Sequence, residues 1–558
     1  MIRTPDKIII SGPRLSNIND LVKKWFGRNG KSVSEELPSV INITYSIKKT
    51  KKKLEFLQYL PLKYSNSIEI KDEFNLSSKI LDKVRFGEHA NKFIASLIQK
   101  SQNEGNIIFS DTTANANKIA LEVAAFIEIS HNNDPQLLSL KQFISDTVHK
   151  DYSLINALEK GIGFHHSKMP QHARAIVEKA FASKILNTVV STTTLMQGIN
   201  LPAKNIIIRN PRVGKDEQLT GYEFTNLKGR AGRLMQDFVG RAFIIDEKQC
   251  TDASITLDVS QQKELNLGYS KRFEKEKDTI INTLENNIPP TKVADNDIVV
   301  YIRNMCLKYE KQALKRIKEV GIDITENTID KTIEHLSQLT IPKSICFNNF
   351  YWDPILLDSM YTSFVNNQWS SIPKTVIGCA NELHALMLKM YSFAPRYFDR
   401  YIDIAPVNDS AIGKLLSLSI YAENYGSGKP LRDVINPPTY PITNSEDIDE
   451  RIKDIHTKVV YNIPKLLRPI FNINDTINNQ NKSHVLSFIE VGAMDQRLRA
   501  LIEIGVPRET AINLLQNIKI NFIDNDGKIN TSLLNNFINS AKSSDYINEW
   551  HKLLISDL

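Results

Sequence analysis

Two arginines, Arg230 and Arg233, stand three residues apart at the end of the string Asn226-Leu227-Lys228-Gly229-Arg230-Ala231-Gly232-Arg233. On a helix that spacing puts both guanidiniums on one face. There they suit a polyphosphate whose charge must be neutralised as a phosphoryl bond breaks. Upstream, the apolar run Ile185–Val190 is followed by Ser191-Thr192-Thr193-Thr194, then by Gly198 and Asn200. Two further apolar runs end in loops of similar chemistry. Ser110 is followed by Asp111-Thr112-Thr113, and Phe164 by His165-His166-Ser167-Lys168. Hydroxyls and backbone N–H groups at helix starts bind phosphates well. Ligands of open α/β sheets collect at the carboxyl ends of the strands. These three loops and the loop near Gly229 are therefore predicted to line one edge.

Each of these residues also has a plainer reading. Arg230 and Arg233 could pair with surface acids. His165 and His166 could be a metal pair, but no acid or cysteine lies near them at ligand spacing. A strand-end role suits them better, with contact to a nucleic-acid backbone next. Lys168 is a solvated lysine or a phosphate contact. The lysines at 48, 49, 51, 52 and 53 read first as a solvated face. Arg497 and Arg499, ahead of Gly505, belong to a helix–turn–helix unit that either packs or touches nucleic acid. Trp352 and Trp369 read as core residues before base-stacking ones. No Ser-His-Asp or paired-carboxylate constellation stands out.

The elements that must position these residues alternate. Asn106–Ser110, Ile162–Phe164, Ile185–Val190, Asn205–Ile208 and Ala242–Ile245 are predicted strands. Thr113–Ile129, with Ala116, Ile119, Ala120, Val123 and Ala124 on one face, and a helix opening at Pro170 lie between them. Such alternation implies a parallel sheet covered on both faces. Ser130–Lys150 reads as a polar excursion. Beyond about Lys248 the pattern is mostly helical, including Ser270–Asn287, Asn296–Gln338, Glu382–Asp403, Ser410–Asn424 and the pair Gln496–Ile504 and Glu509–Gln516. No internal repeat is evident.

Composition sets wider bounds. A length of 558 residues implies several domains. The net charge of +7 is compatible with a nucleic-acid partner without being diagnostic of one. Cys250, Cys306, Cys346 and Cys379 form no C-x-x-C pair and read as reduced core thiols of a cytoplasmic protein. No apolar run is long enough to span a membrane.

Residues 106–245 resemble the second RecA-like lobe of superfamily-two helicases, in the DExH branch that includes superkiller-type and Lhr-like enzymes. Asn106-Ile107-Ile108-Phe109-Ser110 resembles motif IV. Gly161 to Pro170, with Arg174, Val177, Glu178 and Phe181, resembles the approach to motif V. Ser191 to Ile208 resembles motif V, and Asn226 to Arg233 resembles motif VI. The opening segment, with Ser11-Gly12-Pro13 where the family has Ser-Ala-Thr, resembles the region of motif III.

The resemblance implies α/β architecture and four segments: a remnant of a first lobe over 1–45, a connecting segment over 46–105, the second lobe over 106–250, and a helical region over 251–558, with a winged helix and ratchet there by analogy. It implies Arg230 and Arg233 as arginine fingers. Gly198, Asn200, Asn226 (glutamine in the family) and Gly229 would line the nucleotide side. Thr113, His165, His166, Lys168, Thr192 and Thr193 would line the nucleic-acid side.

The chain has no G-x-x-x-x-G-K-[ST] loop and no Asp-Glu-x-His or Asp-Glu-x-Asp box. The expectation is therefore the C-terminal part of an ATP-driven helicase, tracking single-stranded DNA or RNA, 3′ to 5′ as in that branch. ATP and Mg²⁺ would bind only with a complementing first lobe, carried upstream or by a partner chain, and not by this chain alone. No metal site and no membrane partner is expected. The rival expectation is a non-enzymatic nucleic-acid-binding or scaffold subunit built on a helicase lobe.

Overall fold

The structure, a computed structural model, describes residues 19, 22–23, 41–50, 53–59, 86–101, 104–128, 134–193, 203–209, 212–213, 217–219, 221–232, 239–245, 268–289, 293–366, 368–369, 371–404, 409–444, 446–478, 482–524 and 526–558. Ser11-Gly12-Pro13, Lys51, Lys52, Gly198, Asn200, Arg233 and Cys250 lie outside the described residues. The chain divides into two units, Met1–Leu265 and Asn266–Leu558.

The first unit is an α/β layer built on one sheet. Its strands are β1 (Ile41–Thr50), β2 (Lys53–Tyr59), β3 (Asn106–Phe109), β4 (Ile162–His165), β5 (Thr188–Ser191), β6 (Asn205–Ile208) and β9 (Val239–Ile244), in the order β2-β1-β9-β6-β3-β5-β4. A separate two-stranded hairpin pairs β7 (Arg212–Val213) with β8 (Glu217–Gln218). Every pairing in the main sheet is parallel except β1 with β2. β3 to β6 are buried along their whole length, the signature of parallel strands covered on both faces.

The covering helices include α1 (Phe86–Lys100), α2 (Thr113–Ala125), α3 (Pro135–Thr147), α4 (Ser153–Leu158), α5 (Gln171–Ala182) and α6 (Gly221–Lys228). Apolar residues three and four apart bury one stripe of each larger helix, as with Ala173, Ile176, Val177 and Ala180 of α5. One register row crosses the sheet near its carboxyl edge. It runs Ser46, Ile244, Ile208, Phe109, Ser191, His165.

Two parts of the fold differ from the sequence expectation. Ser130–Lys150 is not a polar excursion, because it contains α3. Asp134 caps that helix by accepting from the Gln136 N–H at 2.9 Å, and Pro135 sits where a missing N–H costs nothing. Leu137, Leu140, Phe143 and Ile144 supply its buried stripe. The second difference lies at 41–59, expected as the end of a lobe remnant and a connecting segment. β1 and β2 there form the edge of the lobe's own sheet, and Tyr45 of β1 stacks on Phe243 of β9 with ring centroids 5.1 Å apart. Alternation in Ile41, Ile43, Tyr45 and Ile47 carries the strand signal.

At the amino edge, Glu104 ties three strands together. Its carboxylate accepts from Lys204 Nζ at 2.6 Å, Asn205 Nδ2 at 2.9 Å, and both Arg241 guanidinium nitrogens at 3.0 and 3.2 Å. Burial pushes the Glu104 carboxyl up, but the Lys204 and Asn205 hydrogen bonds and the Arg241 charge outweigh it. The group stays below its ordinary value.

Among the described residues of the second unit every element of more than three residues is helical, as the sequence predicts. Its helices include α7 (Gly268–Glu285), α8 (Val293–Tyr309), α9 (Pro354–Val365), α10 (Gln496–Glu503) and α11 (Arg508–Asn517). Arg303 of α8 pairs with Asp353 at 2.5 Å, and the two side chains are 1% and 0% exposed. Trp352 stacks on Tyr397 at 4.0 Å, and Trp369 on Phe393 at 5.4 Å, so both pack against rings of their own unit. In the α10–α11 hairpin Arg497 pairs with Asp495 at 3.0 Å, and Arg499 lies over the Phe488 ring. Cys306, Cys346 and Cys379 are free and buried, and burial pushes each thiol up to about 12. Among the described residues no helix is long and apolar enough to cross a membrane, and no group of three or more His, Cys, Asp or Glu could hold a metal.

Candidate nucleotide and nucleic-acid faces

The structure separates the predicted site residues into two places on the same sheet. His165 lies in the carboxyl-edge register row, and Thr113, His166, Lys168, Thr192 and Thr193 follow it. Asn226, Gly229 and Arg230 do not join them. Ala231 forms a parallel bridge with Ala203, ahead of β6, and the Gly232 N–H donates to the Ala203 carbonyl at 2.7 Å. This is the amino edge. The single edge expected from sequence is therefore corrected to two. A helix linking parallel strands runs back against them, so the chain leaving α6 to start β9 must emerge at the amino end.

The arginine loop is held by residues that sequence reasoning missed. Asn42 Nδ2, at the start of β1, donates to the Lys228 carbonyl at 3.1 Å. That carbonyl also receives the Ala231 N–H at 2.9 Å. Gly240 of β9 packs directly beneath: a Cβ there would stand 2.1 Å from the Ala231 carbonyl oxygen and 2.5 Å from Asn42 Oδ1. Backbone on backbone leaves no flexible atom to move aside, so only glycine fits. Gly232 takes φ +87°, a left-handed turn that frees the chain from the helix. Arg230 is half-buried, and burial pulls its guanidinium and the Lys228 ammonium below their ordinary values. Partly dehydrated cations of this kind gain most from an anionic ligand.

The carboxyl edge begins at Ser110. Its hydroxyl donates to the Thr112 carbonyl at 3.0 Å, and Thr112 caps α2 by accepting from the Asn115 N–H at 3.2 Å. Thr113, Lys168 and Thr193 are partly exposed here. His165, His166 and Thr192 are buried, at 0%, 3% and 7% exposure. This corrects the expectation that both histidines face a strand of nucleic acid. His165 is the last residue of β4, and its Nε2 meets Glu178 Oε1 of α5 at 2.6 Å. His166 Nε2 meets Asn117 Oδ1 at 2.7 Å, and its ring stacks on Phe164. The Thr192 N–H donates to the His165 carbonyl at 3.4 Å. The pair thus braces two loops from within. The apolar strand leading into His165 was the available signal.

Burial is the largest cause of a lowered His166 pKa, which falls to about 3; the neighbouring His165, Lys168 and Arg174 act in the same direction. Its folded value lies below the unfolded one of ~6.5, so the unfolded chain takes up the proton more readily. The stability it contributes is complete above pH ~6.5 and is lost as pH falls towards 3. We expect a loss of about 1–2 kcal/mol between pH 6.5 and pH 5 from this ring. His166→Gln should flatten that part of a urea-denaturation profile. An unchanged slope would contradict the assignment.

A parallel sheet with helices on its faces, a hydroxyl-rich carboxyl edge and a cationic loop at the other end are the features of a RecA-like lobe. The comparisons agree: residues 121–235 match the helicase conserved C-terminal domain. The chain is 30% identical over 149 residues to the ATP-dependent DNA helicase Hel308 of Pyrococcus horikoshii, covering 26% of this chain and 21% of that protein. It is 30% identical over 159 residues to a helicase POLQ-like protein of Caenorhabditis elegans, covering 28% and 17%. It is also 30% identical over 126 residues to the Hachiman protein HamB of Bacillus cereus, covering 23% and 11%. The chain carries a helicase conserved C-terminal domain homologous to those of Hel308- and POLQ-like superfamily-two helicases. The matched part spans at most about a fifth of these relatives' own length.

Proposed function

We propose that this chain supplies the second motor lobe of an ATP-driven nucleic-acid translocase. Its amino-edge loop, with Arg230, serves as the arginine-finger side of an ATP site, lined by Asn226 and Gly229; by the motif resemblance Arg233, Gly198 and Asn200 would act on the same nucleotide. Its carboxyl edge, through Thr113, Lys168 and Thr193, holds the backbone of a single strand, braced from within by His165, His166 and the buried Thr192. ATP is the substrate, and a first RecA-like lobe, upstream or on a partner chain, would supply the P-loop lysine and the carboxylate for Mg²⁺. The observation that carries this reading is the clamped, half-buried Arg230 loop inside a matched helicase domain.

The test is reconstitution. The chain combined with a complementing first lobe should hydrolyse ATP faster when single-stranded nucleic acid is added, and neither part alone should do so. A second reading is a nucleic-acid-binding scaffold built on the same lobe. That reading predicts salt-sensitive strand binding with no ATP turnover in any combination.

A further inference from the structure

Two lysines of the helical unit meet side by side. Lys458 lies in Ile455–Asn462, a stretch wound as a π-helix, a rare geometry that recurs at functional sites. Its side chain is 4% exposed, and its Nζ stands 2.9 Å from Asp454 Oδ1 and 3.3 Å from Asp403 Oδ2. Lys414, on the helix Asp409–Gly426, reaches the same Nζ and shares a hydrogen bond with it. Lys414 itself is partly exposed.

A hydrogen bond between two lysines has one chemical requirement. An ammonium carries three donors and no acceptor. One of the two nitrogens must therefore hold a lone pair, as a neutral amine. Two carboxylates touch Lys458, so the proton stays there. Asp454 and Glu450 also act on Lys414 by charge, but they do not decide its state. Burial, then the hydrogen bond and charge of Lys458, pull the Lys414 amine below its ordinary value. Burial pulls on Lys458 too. There the hydrogen bonds with Asp454, Lys414 and Asp403, together with the Asp454 charge, outweigh it and hold the group above its ordinary value. A lysine beside a second cation is one of the ways an amine is made nucleophilic near neutral pH. A purely structural pair is closed off, as Arg303 and Asp353 are. Here the nitrogen with the lone pair is the one that solvent reaches.

We propose that Lys414 is a modification site, a nucleophilic amine that takes an acyl group from a small acyl phosphate. The Nζ lone pair attacks the carbonyl carbon and a C–N bond forms. The C–O bond to phosphate breaks, the phosphate leaves with that electron pair, and the surplus proton on nitrogen passes to water. The product is a neutral amide, and Lys458 keeps its two carboxylates. The site needs neither ATP nor a strand, so it is independent of the motor reading.

The experiment treats the full chain with acetyl phosphate across a pH series from about 6 to about 10, a range that brackets lysine titration near and below its ordinary value. Acetylation at each lysine is followed by peptide mass spectrometry. Lys315 and Lys318, exposed on the helix Ala313–Glu319, serve as references. Lys414 should react severalfold faster than either near neutral pH, and its rate should rise at lower pH than theirs. Lys458→Arg keeps a cation in place and should keep that advantage. Lys458→Met should abolish it, because Asp454 and Glu450 then hold Lys414 as an ammonium. Circular dichroism checks that each variant is folded. A parent chain in which Lys414 reacts no faster than the references overturns the proposal, and that arm requires no variant. An advantage that survives in folded Lys458→Met also overturns it, by showing that exposure alone sets the rate.

Discussion

Arg230→Ala or Arg233→Ala should cut strand-stimulated ATP turnover of the reconstituted motor by about a thousandfold or more, the usual worth of an arginine finger. That is about 4 kcal/mol of transition-state stabilisation. The loss should fall on kcat, with a much smaller change in KM for ATP, because the guanidinium acts where charge develops on the transferred phosphoryl group. Arg230→Lys should not rescue it, since an ammonium cannot reproduce the planar fork. A matching rise in KM with kcat preserved would show the loop to be a binding contact only. Unchanged turnover in both alanine variants would remove the arginine-finger role. The clamp makes the test specific: the Asn42 hydrogen bond to the Lys228 carbonyl and the Gly240 contact use backbone atoms of the loop, so the loop's path should survive truncation of either arginine.

The second large effect belongs to the helical unit. Arg303 is 1% exposed and Asp353 0%. Arg303 also donates to the Thr283 and Ile288 carbonyls at 3.2 and 3.0 Å. Arg303→Met should destabilise this unit by about 3–5 kcal/mol, because it strands a buried carboxylate. Asp353 additionally caps α9, accepting from the Ile355 N–H at 2.9 Å. Asp353→Asn keeps an oxygen for that cap and removes the charge. The double variant Arg303→Met with Asp353→Asn should therefore recover a large part of the loss. Urea denaturation followed by far-ultraviolet circular dichroism reads both. A single variant within about 1 kcal/mol of the parent would contradict the pair's structural weight.

Much of the lobe was legible in the sequence because its interior strands are short, apolar and bounded by loop chemistry. Asn106–Phe109, Ile162–His165 and Asn205–Ile208 fall within a residue of where periodicity places them. The helix α3 escaped the sequence reading, although Asp134, Pro135 and the Leu137 to Ile144 stripe carry its signal, because the polar residues around it obscured the spacing. What composition could not reveal was which edge each loop occupies. That follows from chain direction, and chain direction separates Arg230 from Lys168 although both are cations in loops beside the sheet. Nor could one sequence show that Asn42 and Gly240, nearly two hundred positions apart, meet the same loop. Pairing of β1 with β9 brings them together. The histidines failed as surface contacts for a physical reason: β4 runs one residue longer than its apolar core, so His165 ends inside the sheet.

The proposed arrangement gives one lobe two separate faces, nucleotide at the amino edge and strand at the carboxyl edge. Its most direct test is the equilibrium affinity of the chain alone for a single-stranded oligonucleotide, measured by fluorescence anisotropy at fixed salt. Lys168→Gln combined with Thr193→Val should weaken binding by roughly tenfold or more, as expected for losing a charged and a neutral hydrogen bond to phosphate. Arg230→Ala should leave that affinity unchanged within a factor of about two, because its loop lies at the other end of the sheet. Loss of strand affinity on removing Arg230, with the Lys168 and Thr193 variant unaffected, would contradict the two-face arrangement.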